Sequence, residues 1–364
     1  MSKTRVVILF GGRSAEHEIS LLSARNILVA LDRERYEPDL VSIDKSGRWR
    51  RESEAFLLAA TGDPRSLRLP DASPEVQVPL YPSDTGLFAG DVVVFPILHG
   101  TNGEDGRVQG LLDMAGVAYV GSGALGSAVG MDKDVAKRLA TQANIPVVPW
   151  QLIYAHEWAD APEETLARAA SLEFPLFVKP ANAGSSVGVH RVAGAEALRA
   201  SLTDAFRFDT KVLVEAGINA REVECAVLGH ERPQASVLGE VIVTHKDGFY
   251  SYDAKYLDPS GAHLQIPAPL PDEVTELVRD LALRTFRALE LSGLSRVDFF
   301  VERGTLEVYL NEVNTMPGFT AISMYPKMWE ATGLSQRDLV SQLIEFGRRR
   351  HAARQRIETS AFAS

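Results

Sequence analysis

Between Arg296 and Ser323 the chain reads RVDFFVERGTLEVYLNEVNTMPGFTAIS, and no other stretch narrows the possible folds as far. The apolar runs VDFF and VYL flank a polar segment around Gly304, which predicts an antiparallel hairpin. Glu312 and Asn314 are two apart, so a strand projects both from one face. Asp298 on the preceding strand comes within cross-strand reach if the turn centres on Gly304. An isolated E-x-N is better explained as a solvated sheet face. Here the flanks are apolar, and burying clustered carboxylates without a cation costs several kcal/mol or forces protonation. Metal is therefore favoured, and three oxygen ligands suit Mg²⁺. Arg296 adds a fixed cation, and the Pro317-Gly318 corner adds backbone N–H groups. Such a set equips a site for phosphoryl transfer through an acyl phosphate.

The 364 residues are 45% hydrophobic and 24% charged, enough for a full core and two or three domains. A net charge of −10 and a pI near 5.4 argue against a general nucleic-acid surface. They do not forbid a small anionic ligand, because lysines and metal ions set the field inside a cleft. Cys225 is the only cysteine, so a disulfide framework is impossible, and its apolar setting suits a buried inert thiol. The apolar run in MSKTRVVILFGG is too short for a signal peptide, and no later segment approaches a membrane span. A soluble, reducing, cytoplasmic setting is expected.

Residues 5–10 (RVVILF) and 91–98 (DVVVFPIL) are continuous apolar runs of the kind found in buried parallel sheets. Each is followed by a polar corner, GGRSAEHE or HGTNGEDG, and then by helical spacing. This alternation predicts an open α/β unit with ligands at the carboxyl ends of its strands. Residues 44–85 read as a loop-rich insertion. One helix is expected over 131–143 and another over 163–171. The strand FPLFVKP, the tip ANAGSSVG, the strand VGVHRV and the strand KVLVE follow. Beyond residue 220 come the strands EVECAVLG and ASVLGEVIV, an aromatic loop at 244–263, a helix at 271–291, the hairpin and a closing helix. The division reads as 1–121, 122–219 and 220–364.

Several residues carry chemistry only in context. Lys179 is followed by Gly184, Ser185 and Ser186, whose backbone and hydroxyls could meet phosphate oxygens; a plain hairpin tip fits the loop equally well. The P-loop spacing is absent. Lys133 opens an ordinary charged helix and gains meaning only if that N-terminus faces the same cleft. Glu215 and Glu222 flank a turn whose backbone could meet an adenine, although each alone would pass for a surface acid. Ser323 is a plausible N-cap, and caps that serve no ligand are commoner. Glu18 and His99 come from the two polar corners, where either could merely cap a helix. A hydrolase is disfavoured because the G-x-S-x-G elbow is missing, and a dehydrogenase because GGRSAE is not G-x-G-x-x-G.

Taken together, GGRSAEHEIS, HGTNGEDGRVQG, GSGALGSAVGMDK, FVKPANAGSSVGV, FYSYDAKY, RVDFF and NEVNTMPGFTAISMYP closely resemble the D-alanine–D-alanine ligases of the ATP-grasp superfamily, in the family's order and over essentially the full length. The resemblance implies an α/β (α+β) chain of three domains with ATP between the sheets of the last two. It implies ligation of two D-alanines through an acyl phosphate, for peptidoglycan precursor synthesis. By position, Lys133, Lys179, Lys255 and Ser186 would touch the phosphates, and Glu215, the Ala216 backbone and Glu222 would hold adenosine. Many relatives carry lysine where this chain has Ala216. Asp298, Glu312 and Asn314 would bind two Mg²⁺ ions, with Mn²⁺ a possible substitute. Glu18 would take the ammonium of the first D-alanine, hydrogen-bonded with Ser185 and Tyr256, and His99 would line that subsite. Ser323 and the Met324 N–H would bind the carboxylate of the second D-alanine. Arg296 and the Gly318 N–H would stabilise the acyl phosphate and the tetrahedral adduct, while loop 244–263 folds over the site. Tyr256 would mark preference for an amine acceptor, since related D-alanine–D-lactate ligases depart from AKY here. The resemblance also implies a homodimer with small-molecule substrates, and no nucleic acid or membrane. Another ATP-grasp carboxylate–amine ligase, or a D-alanine–D-lactate ligase, is the competing reading.

Overall fold

The computed structural model describes residues 3–244 and 261–358. Three sheets organise them. The first is built on β1 (Thr4–Gly11), β2 (Tyr36–Ile43), β3 (Trp49–Arg51), β4 (Val92–Pro96) and β5 (Ala118–Tyr119), in the order β3-β2-β1-β4-β5. All its pairings are parallel except β2 with β3, so β1 is buried on both faces and reads as an unbroken apolar run. Helices α1 (His17–Ala30), α2 (Glu54–Ala59) and α3 (Arg107–Met114) accompany it. Residues 44–85 hold little regular structure besides β3, α2 and a 3-10 turn at Pro64–Ser66.

The single helix expected over 131–143 is two, α4 (Ala124–Met131) and α5 (Lys133–Gln142). Asp132 separates them with extended backbone, and its carboxylate accepts from the N–H groups of Asp134 and Val135. That is an N-cap at an aspartate that pattern alone had placed inside a helix. Ala136 and Ala140 of α5 are buried with Val223, Cys225 and Val297.

The second sheet has the order β6-β9-β7-β8, from β6 (Trp150–Tyr154), β7 (Leu176–Pro180), β8 (His190–Val192) and β9 (Lys211–Ala216), all antiparallel. Its core is its own, with Ile153, Val178, Val212 and Val214 packed under α7 (Pro162–Ala169) and α8 (Ala195–Ala205); the short α6 (Ala155–Asp160) precedes them. The third sheet runs β12-β11-β10-β13-β14, from β10 (Ala220–Gly229), β11 (Gln234–Val243), β12 (Ala262–Gln265), β13 (Gly293–Glu302) and β14 (Val308–Asn314). Helices α9 (Asp272–Ala288), α10 (Met324–Ala331) and α11 (Gln336–Gln355) complete the described chain.

One apolar core joins the first and third sheets. Ile8, Phe10 and Phe95 pack with Ala226, Leu294, Phe319 and Tyr325, and Leu343 and Ile344 of α11 belong to the same cluster. The second sheet has no share in it. Leu343 is fully buried there. Leu343→Ala should therefore cost about 2–5 kcal/mol, seen as a lower denaturant midpoint with an unchanged slope. A midpoint equal to wild type would show that the two sheets do not depend on this core.

Candidate active site at the meeting of two cavities

Two cavities open beside the third sheet. One, of about 610 Å³, lies between the second and third sheets and is lined by Lys179, Glu215, Ala216, Glu222 and Phe300, among others. The second, of about 820 Å³, lies toward the first sheet and is lined by Glu16, His99, Ser185, Gly318 and Ser323, among others. Glu224, Arg296 and Glu312 line both. The cavities thus meet at the hairpin of β13 and β14.

Register explains that meeting point. Asp298 pairs with Glu312 and Arg296 with Asn314 across β13 and β14, with a bulge after Asp298. On the other side Glu224 of β10 pairs with Asp298. Arg296 donates Nε to Asp298 Oδ1 and Nη2 to Asp298 Oδ2, each at 2.7 Å, and its Nε is 2.9 Å from Glu224 Oε2. Asn314 Nδ2 donates to Asp298 Oδ2 at 3.0 Å, which leaves the amide oxygen as the atom available to a cation. Lys133 Nζ stands 3.3 Å from Glu312 Oε2 and donates to the Ala183 carbonyl at 2.8 Å. The donor set is two carboxylates and one amide oxygen on one sheet face, neutralised by Arg296 and Lys133. It fits a hard divalent ion. Sequence reasoning missed Glu224; the alternation in EVECAVLG puts it on the same face as Glu222, which was the available signal.

At the far end of the first cavity, Lys179 Nζ donates to Glu215 Oε2 at 2.7 Å and to Asn311 Oδ1 at 3.1 Å. Its ammonium lies 5.8 and 5.7 Å from the ring centroids of Phe177 and Phe300. Gly217, Ile218 and Asn219 join β9 to β10 and line the cavity with Ala216, the last residue of β9. Ser185 and Ser186 both adopt positive φ, +50° and +59°, in the left-handed region that non-glycine residues seldom occupy. Held strain of this kind at a loop is a common mark of a functional turn.

Glu16 replaces Glu18 in the second cavity. The Ser185 hydroxyl donates to Glu16 Oε1, whereas Glu18 sits in the first turn of α1 and pairs with Lys45 at 2.7 Å. The expectation that Glu18 bonds Ser185 is therefore corrected. The reason is local: the chain is still turning at Glu16, and by Glu18 the helix has rotated the side chain to the Lys45 side. Room for the Glu16 carboxylate depends on two glycines. A Cβ at either Gly100 or Gly184 would lie 2.5 Å from Glu16 Oε2.

His99 is buried and neutral. Its Nδ1 donates to the Met316 carbonyl at 3.0 Å, so Nε2 accepts from Ser23 Oγ at 2.9 Å, and Ser23 Oγ accepts from the Phe319 N–H at 3.2 Å. Burial holds the imidazole below its ordinary pKa. Glu104, also missed in the sequence, accepts from the N–H groups of Gly100 and Met316 at 2.8 and 3.0 Å. Burial, with Glu16 nearby, pushes its carboxyl up to about 8. This network ties the 316–319 corner, and with it Gly318, to the first sheet. Ser323 stands at the N-cap position of α10, but its hydroxyl turns to Thr320, accepting from the Thr320 N–H at 3.0 Å. Met324 opens that helix. Lys255, Tyr256 and most of loop 244–263 lie outside the described residues; Ala262 and His263 belong to β12.

Two antiparallel sheets closing on a cavity that ends in lysines, acids and an arginine define an ATP-grasp enzyme. The family described as D-ala D-ala ligase N-terminus matches residues 5–122, and D-ala D-ala ligase C-terminus matches residues 139–345. The D-alanine–D-alanine ligase A of Bradyrhizobium diazoefficiens is 51% identical, over 98% of both chains. The D-alanine–D-alanine ligase of Shouchella clausii is 46% identical over 100% of this chain and 99% of its own. Among solved structures, the D-alanine-D-alanine ligase from Coxiella burnetii is similar with a TM-score of 0.83 at 36% identity, covering 98% of this chain and 97% of its own. The VanG D-Ala:D-Ser ligase of Enterococcus faecalis is similar with a TM-score of 0.82 at 33% identity, covering 95% and 100%. The chain belongs to the D-alanine–D-alanine ligase family.

Proposed function

We propose that this chain joins two D-alanines at the expense of ATP, giving D-alanyl-D-alanine for peptidoglycan precursors. The observation that carries the reading is that a nucleotide-sized cavity and a substrate cavity share Glu224, Arg296 and Glu312. ATP occupies the first cavity, with adenosine against Glu215, the Ala216 backbone and Glu222. Lys133, Lys179 and Ser186, with Lys255, hold its phosphates. Asp298, Glu312 and Asn314 would hold Mg²⁺, for which Mn²⁺ could substitute, and the ions would offset phosphate charge.

The first D-alanine lies in the second cavity, its ammonium on Glu16 in place of Glu18, with Ser185 and Tyr256 fixing that carboxylate and His99 lining the subsite. Its own carboxylate attacks the γ-phosphorus of ATP, the bond to the bridging oxygen breaks and ADP leaves, giving an acyl phosphate while the lysines cancel charge repulsion. The second D-alanine is held by Ser323 and the Met324 N–H, and its neutral amine attacks the acyl phosphate carbonyl. Arg296 and the Gly318 N–H meet the oxyanion, and as the adduct collapses phosphate leaves and takes up the proton the nitrogen gives away. Loop 244–263 keeps water from the acyl phosphate. The reading includes a cytoplasmic homodimer, which sedimentation of the purified chain tests. Among the described residues no helix is long and apolar enough to cross a membrane.

The test is ADP release with a panel of D- and L-amino acids and D-lactate as acceptors. D-alanine is expected to be used best, and efficient D-lactate turnover at neutral pH would overturn both the amine preference and the role given to Tyr256. D-serine as the best acceptor would move the reading to a D-Ala:D-Ser ligase, like the similar enzyme of Enterococcus faecalis. Glu16→Gln should raise the KM for D-alanine at the first subsite about tenfold to a hundredfold, because an ammonium loses its charged acceptor. An unchanged KM, with Glu18→Gln producing the defect, would return the role to Glu18.

A further inference from the structure

Glu215 is held between two lysines. Lys179 Nζ is 2.7 Å from its Oε2, and Lys137 Nζ is 3.2 Å from its Oε1. The two cations differ in position. Lys179 lines the first cavity beside Glu215. Lys137 stands behind them, with its side chain only 1% exposed. It reaches Glu215 from α5, one turn after Lys133, so a single helix carries one lysine toward Glu312 and another toward Glu215. Beneath its ammonium lies the Trp150 ring, 5.8 Å to the centroid, on the strand that pairs Trp150 with Glu215. Lys137 Nζ makes no hydrogen bond among the described residues, and Glu215 Oε1 has none either. Burial pushes the Lys137 ammonium below its ordinary pKa, and the Glu215 carboxylate 3.2 Å away opposes that.

A cation sealed this deeply is costly unless it serves a fixed partner. Lys179 already has alternatives, Asn311 at 3.1 Å and any anion in the cavity it lines. We propose that Lys137 is a positioning residue for nucleotide selection: it is the resident counter-ion of Glu215, keeping that carboxylate an obligate acceptor for the adenine amino group when Lys179 turns to the phosphates. The inference rests on the reading that the first cavity holds ATP. Burial alone would push the Glu215 carboxyl up, but the ammonium groups of Lys137 and Lys179 outweigh it and hold it below its ordinary range. With Lys179 drawn to phosphate, only Lys137 remains to do so. An acceptor-only carboxylate matches the C6 amino group of adenine and mismatches the C6 oxygen of hypoxanthine. A protonated carboxyl, which can donate, would accept either.

The experiment compares equilibrium binding of ATP and of inosine triphosphate, each with Mg²⁺, to the purified chain without D-alanine. Wild type is expected to favour ATP by about tenfold or more, the effect of one mismatched buried hydrogen bond. Lys137→Met, which removes charge and donor, and Lys137→Gln, which removes only charge, should both bring the ratio to within about threefold. Glu215→Gln should narrow it as well, because an amide can either donate or accept. The double variant Lys137→Met/Glu215→Gln should be no less selective than Glu215→Gln alone, since both changes act through one group. If Lys137→Met does not fold, Lys137→Gln and the double variant decide the matter.

A merely structural lysine would weaken both nucleotides equally and leave the ratio intact; that outcome overturns the proposal. Additive losses in the double variant, or a wild type indifferent to the base, overturn it too. Binding of ATP without D-alanine-dependent ADP release would instead sink the proposed function, and leave the Lys137 measurement still decisive.

Discussion

Glu312→Gln is expected to lower turnover about a thousandfold or more, several kcal/mol of barrier. The carboxylate faces Asp298 across the hairpin and stands 3.3 Å from Lys133, at the seam where both cavities meet. A glutamine keeps the shape and one oxygen but removes the charge that would draw a divalent ion. Its side chain is 24% exposed, so the fold should tolerate the change. The measurement is ADP release across a Mg²⁺ titration, with thermal unfolding as the control. Near wild-type rates at saturating Mg²⁺ would take Glu312 out of the ligand set.

Arg296→Met should reduce kcat about a hundredfold to a thousandfold, the scale of losing one donor to a developing oxyanion. A second effect separates it from Glu312→Gln. Arg296 neutralises Asp298 and Glu224, which are only 8% and 4% exposed. Removing the cation leaves two buried carboxylates without it, which should cost about 3–5 kcal/mol of stability. Thermal unfolding at neutral pH should show the loss. Arg296→Lys should recover part of the stability and less of the rate, because an ammonium lacks the planar fork that meets both oxygens of Asp298 in parallel. Wild-type kcat in Arg296→Met would end the assignment.

Patterning in the chain made much of the frame legible. The apolar runs at 5–10 and 91–98 became β1 and β4, and the E-x-N spacing became one face of β14. These are short-range consequences of side-chain alternation and burial. The errors have a common form. Asp132 was read inside a helix because helical spacing runs through it, yet its carboxylate caps the helix that follows. From the sequence Glu18 is expected at Ser185, whereas Glu16 stands there, and the difference turns on where a turn ends and α1 begins. Two residues of shift rotate a helical side chain by more than half a turn, so this is the least readable kind of position.

Composition and local order determined that this chain would build an α/β unit, antiparallel sheets and an acidic hairpin beside an arginine. Residues distant in sequence met only through tertiary packing: Ser185 with Glu16, Met316 with Glu104 and Lys137 with Glu215. Such contacts depend on the shared core of the first and third sheets and on α5, which packs on the third sheet and sends Lys137 to Glu215 of β9. A buried charge takes its meaning from the partner that burial gives it, and that partner lies many residues away along the chain.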